Sequence, residues 1–217
     1  MKLLLAVALL VPTVALGRTT AVAATPPKQL VTIEEQAEDI IDRVPGKHWA
    51  RVSADVASVH GAWTKYRARA HADGVDPTLV EQFDAALARL STEAKARRAP
   101  QTLQAANDLS RTTVELLAHY GLGHPVEIGR LDVIGRQILL DLDRDDRAGV
   151  TEQIAAARAQ WEAIRSDVTG RSAAVGGQVD ATLAVLDDAN AAANDALLKA
   201  EVRAMLEIVD AMEELYG

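Results

Sequence analysis

Apolar residues return every three or four positions along most of this chain. Val52, Val56, Val59, Trp63, Tyr66 and Ala70 form one such series, and Ile154, Ala157, Trp161, Ile164 and Val168 form another. Alternating steps of four and three put these side chains on one stripe of an α-helix, because 3.6 residues make a turn. Leu198, Val202, Met205, Val209, Met212 and Tyr216 make a third stripe. Thr102, Ala106, Leu109, Thr113, Leu116 and Tyr120 make a fourth, weakened by its two threonines. These are seam positions of packed helices.

Capping and breaking residues set the expected ends. Thr32-Ile33-Glu34-Glu35 fits a capping box opening a short first helix, which Pro45-Gly46 ends. A second helix is expected from Lys47 to Ala72, stopping at Asp73-Gly74. Asp76-Pro77 reads as an N-cap followed by proline at the first helical position, and opens a third helix reaching Arg97. Pro100 opens a fourth, ending at Tyr120-Gly121. Beyond His124-Pro125, helices are expected near 126–144, 150–168, 176–191 and 194–215. No proline or glycine marks the break between the last two. It is inferred from an internal repeat, and the competing reading is one continuous helix of about forty residues.

That repeat joins the two halves of the chain. Val52, Ser53, Val56, Ala57, Trp63 and Arg67 correspond to Val150, Thr151, Ile154, Ala155, Trp161 and Arg165, all 98 positions later. Residues 83–90 (FDAALARL) match 179–186 (VDATLAVL) at five of eight positions, now 96 apart, and Tyr120-Gly121 keeps that offset with Tyr216-Gly217. A period this long is unlike a solenoid repeat and suggests two tandem copies of a small bundle. Composition agrees: aromatic residues are only 3% of the 217 positions, while alanine, the best helix former, supplies 41. The fold class expected is therefore all-α, an up-and-down helical bundle of two tandem four-helix units over residues 25–122 and 123–217. Asp84 and Asp180 recur beside apolar positions, as do Arg67 and Arg165. The repeat thus predicts a carboxylate–guanidinium pair tying the second helix to the third in each unit.

One helix departs from a single stripe. Ile128, Leu131, Val133, Ile134, Ile138, Leu139, Leu140 and Leu142 cover more than one face of 126–144, so this helix is expected at the centre or at an interface. Gly129 and Gly135 interrupt it. Close helix–helix approach accounts for them, with a functional kink as the other reading.

The first 24 residues read as an address. Lys2, an apolar run from Leu3 to Leu16, and Ala21-Val22-Ala23-Ala24 are the three parts of a secretory signal peptide. Removing Lys2 and Arg18 takes the net charge from −8 to −10. A periplasmic or extracellular location is expected, and such acidity disfavours nucleic acid as a partner. No later stretch has eighteen uninterrupted apolar residues.

Candidate chemistry is sparse. The absence of cysteine removes disulfides, thiolate metal sites and a cysteine nucleophile. Asp141, Asp143, Asp145 and Glu152 stand at positions 1, 3, 5 and 12 of a twelve-residue stretch. This resembles the EF-hand calcium-loop pattern, with Asp146 in place of the turn glycine at position 6. The plainer reading is a solvated acidic connection, with Thr151 capping the next helix and Glu152 in its first turn. His124-Pro-Val-Glu127 resembles the His-x-x-Glu spacing of imelysin-like periplasmic proteins over four residues, with Leu122 where a glycine would stand. Glu115 and His119, four apart, read as a surface pair. No catalytic residue and no cofactor is assigned. The expectation is a non-catalytic module that binds a protein, an envelope component or a small ligand through a groove between its units. The alternative is a divalent-cation-binding protein using the acidic loop.

Overall fold

The computed structural model describes residues 25–121 and 123–216. The proposed signal segment 1–24 and the position of Leu122 lie outside the described residues. Among those residues there are eight helices and no strand: α1 Lys28–Arg43, α2 Trp49–Ala70, α3 Pro77–Lys95, α4 Ala99–Ala118, α5 Val126–Leu142, α6 Arg147–Arg171, α7 Ala173–Ala191 and α8 Asp195–Glu214. None is long and apolar enough to cross a membrane. The protein is an all-α helical bundle.

Each helix packs on the next through a short connection, as antiparallel neighbours do, and α6 and α7 are joined by Ser172 alone. α1 also packs on α4, and α5 on α8. Each closure brings four helices around their own apolar cluster. One cluster is centred on Ile33, Val59, Tyr66, Phe83, Leu90 and Leu109. The other is centred on Ile138, Ile154, Trp161, Leu183, Leu186 and Val202. α4 packs on α5 and joins the two. All four stripes expected from the sequence are buried, apart from partial exposure of Tyr216. α5 lies against α4, α6 and α8, which is why apolar residues cover more than one of its faces.

The helix ends show what the local signals weighed. Asp76 caps α3 as expected, its Oδ1 accepting from the Thr78 N–H at 2.8 Å. The Thr32 capping box does not form: α1 begins a full turn earlier, at Lys28 after Pro27. Leu30 is fully buried beside Ile33, Ala37 and Ile40, so the apolar stripe carries the helix past the cap. α6 likewise begins before Thr151. Asp146 is its cap, accepting from the Gly149 N–H at 2.9 Å, while the Thr151 hydroxyl donates to the Arg147 carbonyl.

The break between α7 and α8 is real. Ala193 takes φ +51°, and the Asn194 side chain accepts from the Leu197 N–H at 3.1 Å. Among the described residues, four non-glycine residues adopt this left-handed conformation: Lys47, Arg97, Asp145 and Ala193. They fall after α1, α3, α5 and α7, and their spacings, 98 from Lys47 to Asp145 and 96 from Arg97 to Ala193, are those of the sequence repeat.

Gly129 and Gly135 are places of close approach. A Cβ at Gly129 would lie 3.2 Å from Val114 Cγ2 on α4, and one at Gly135 would lie 2.8 Å from Leu206 Cδ2 on α8. α5 is not kinked into two helices at either residue.

Candidate functional site

Between the two clusters, α4 and α5 meet through a polar network that runs beside the buried Val114 and Val133. Gln104 and Gln137 pair side chain to side chain in both directions, at 2.9 and 3.2 Å. The Asn107 amide donates to the Val133 carbonyl and to Gln137 Oε1, and the Gln137 amide donates to Asp141 Oδ1 at 2.8 Å. Glu115 on α4 holds Arg130 on α5 through two hydrogen bonds of 2.8 and 2.7 Å. This buried seam leaves Asn107 Oδ1 without a partner among the described residues, and its remaining bonds fix register, because a slipped arrangement would strand buried amides.

Beside that seam, α1, α4, α5 and α8 leave a groove of about 610 Å³. Its apolar lining comes from Ile41, Leu103, Leu139, Leu140 and Leu206. Antiparallel packing of α5 and α8 sorts the charges along it. Near one end Lys199 bonds Asp143 at 2.6 Å. Toward the other, Arg136 bonds Glu38 at 3.1 Å and Asp132 at 2.9 Å, and Asp210 also lines the groove. Burial, reinforced by Glu38, Glu213 and Asp132, pushes the neighbouring Glu34 carboxyl up to about 7. Burial also pushes Asp132 up to about 7, against the lowering influence of Arg136, and raises Glu213. The groove walls carry aliphatic, carboxylate, amide and cationic side chains, which can bind and orient a ligand.

The acidic loop is arranged otherwise. Only Asp143 to Asp146 separate α5 from α6, too short a turn to wrap a cation with oxygens from twelve positions. Asp141 is buried and taken by Gln137 and Arg144, Asp143 by Lys199, and Asp146 by the helix cap, while Glu152 is exposed on α6. Among the described residues no group of three or more His, Asp or Glu side chains is placed to hold a metal ion. Glu115 and His119 do not pair either: Glu115 turns to Arg130, and His119 Nε2 lies 2.8 Å from the Asp73 carbonyl oxygen.

The repeated polar residues meet as the sequence predicted. Arg67 reaches Asp84 at 2.9 Å, and Arg165 reaches Asp180 at 2.7 Å. Each carboxylate also accepts an indole N–H, from Trp63 at 2.7 Å and from Trp161 at 2.8 Å. Sequence reasoning had both tryptophans in the repeat and missed this role for them. A second recurrent contact was missed as well. The Tyr120 hydroxyl donates to Asp73 and the Tyr216 hydroxyl to Asp167, both at 2.5 Å. The companion arginine stands four residues from the aspartate in each case, but on opposite sides, as Arg69-Asp73 and Asp167-Arg171. The hydrogen bond from Tyr120 and then that from Arg69 hold Asp73 below the usual carboxylate range. Burial and the bond to Asp167 push Tyr216 up to about 12.

Comparison with protein-family models, with curated proteins and with solved structures finds no match to this chain.

Proposed function

We propose that this chain is an exported, non-catalytic binding module, built as two tandem copies of a four-helix unit over 25–122 and 123–217, which takes a ligand in the groove between them. The groove of about 610 Å³ carries this reading. Its volume falls within the roughly 300–1,000 Å³ of small-molecule sites, and its apolar floor is rimmed by many charged groups, among them Glu38, Asp132, Arg136, Lys199 and Arg203. The tandem reading is supported by the left-handed residues, the Trp–Asp–Arg contacts and the Tyr–Asp contacts, which recur at or near the sequence offsets. Export to the periplasm or the cell exterior is supported by the pattern of Lys2, Leu3–Leu16 and Ala21–Ala24.

A thermal-shift screen of the full chain against small amphiphiles of positive, negative and zero charge tests the binding reading. Ligands that bind only the folded state raise the midpoint with concentration. Replacing Leu103 by tryptophan fills the groove and should abolish the shift. Failure of all three charge classes to shift the wild-type protein, or shifts indifferent to Leu103→Trp, would overturn the reading.

A further inference from the structure

At its acidic end the groove adjoins a small cavity of about 20 Å³, and the two share Glu38, Asp132 and Arg136 in their walls. The cavity is closed by Glu34 from α1, Glu213 from α8, Ser110 and Val114 from α4, and Gly129 and Val133 from α5. Four carboxylates from three helices thus face one guanidinium. Arg136 is taken by Glu38 and Asp132, and no salt bridge reaches Glu34 or Glu213 among the described residues. Ser110 is an independent observation. Its residue is 6% exposed, and its hydroxyl has no hydrogen-bond partner. The other α4 hydroxyls, Thr102, Thr112 and Thr113, each donate to the carbonyl four residues back. Ser110 does not, and its side chain lines the cavity instead.

We propose that this cavity is a head-group site for a small organic cation, a primary ammonium whose apolar tail lies in the adjoining groove. The assignment rests on the groove being a ligand site and names the ligand's chemistry. A cavity of this size holds one group about as large as a water molecule. An ammonium has three N–H donors and no acceptor, matching a wall of carboxylates and one orphan hydroxyl oxygen. It also fits where a metal ion does not, since the carboxylates do not converge as ligands around one point. Beyond the head, Ile41, Leu103, Leu139 and Leu206 offer the tail an apolar surface. An anionic head would repel the carboxylates, and a neutral one would bring no charge to favour their ionised forms.

Calorimetric titration of the full chain at neutral pH with n-octylammonium, n-octanol and octanoate tests this. Octylammonium is expected to bind at least about tenfold more tightly than octanol, a difference near 1.4 kcal/mol, with octanoate weakest. Ser110→Ala and Glu34→Gln should each weaken octylammonium several-fold and leave octanol unchanged, with unaltered circular dichroism. Both substitutions are close in size to the native residue, so loss of one variant to misfolding leaves the other. Equal binding of octanol and octylammonium, lost together in Leu103→Trp, would overturn the cation site and leave the groove reading standing. So would octylammonium binding that ignores both cavity variants. Absence of binding by all three probes overturns the head-group site, and the broader screen then decides the groove separately.

Discussion

Asp180 carries two different interactions, and their worth differs. Its pairing with Arg165 is half exposed, with side-chain exposures of 40% and 50%, so solvent screens it heavily. Its bond from Trp161 is another matter, because that residue is fully buried and its indole N–H has no water to turn to. Asp180→Ala is therefore expected to cost about 1–3 kcal/mol, the penalty of an unsatisfied buried donor. Arg165→Ala is expected to cost less than about 1 kcal/mol. Urea unfolding of both variants checks the order, and equal losses would mean that the ion pair dominates. The bonds from Arg165 and then Trp161 hold the Asp180 carboxyl below its ordinary range. Its contribution is thus present above the unfolded pKa and lost as pH falls through the folded one.

Among the elements, the turn between α7 and α8 offers the sharpest test. Ala193 sits in the left-handed region, which costs an L-residue with a Cβ roughly 1–2 kcal/mol and glycine nothing. Ala193→Gly should then raise stability by about 0.5–1 kcal/mol, after allowance for the greater freedom of glycine in the unfolded chain. Were 176–215 a continuous helix, the same substitution would lower stability by about 1 kcal/mol. The sign of the change in thermal midpoint decides. The repeat predicted this break where no glycine or proline marked it, and Asn194 as cap explains how the chain stops a helix without either.

For the whole molecule the seam sets the pH response. The groups facing one another there are Glu34 and Glu38 on α1, Asp132 and Arg136 on α5, and Asp210 and Glu213 on α8, with His124 near Glu213. α4 adds Ser110 to the cavity wall and no charge. Burial raises the folded-state values of Glu34 and Asp132 to about 7. A raised folded value means stability that is full below the unfolded pKa and declines as pH climbs toward 7, as buried carboxyls give up their protons. The urea midpoint is expected to fall between pH 4.5 and 7.5, a window read from those values. Asp132→Asn should flatten that fall, raising the midpoint at pH 7.5 more than at pH 4.5. An unchanged slope in the variant would place the pH dependence elsewhere.

The sequence by itself determined the helices, the buried stripes, the central place of α5 and the Arg67–Asp84 and Arg165–Asp180 contacts. A stripe follows from 3.6 residues per turn, a local property of the chain, and the repeat pointed to recurrent pairs without knowledge of the packing. The acidic residues at 141–152 show where such reading stops. Their spacing matched a cation loop, but α6 begins at Arg147, and Gln137, Arg144 and Lys199 claim two of the carboxylates. A groove between the units was expected, but its walls and its acidic end were decided by the tertiary structure alone. Glu38 and Arg136 stand 98 residues apart, and a polar side chain on a helix does not announce which partner it will meet. Only the packing of α4 on α5, with α1 and α8 alongside, brings those charges to one seam and leaves Ser110 inside it.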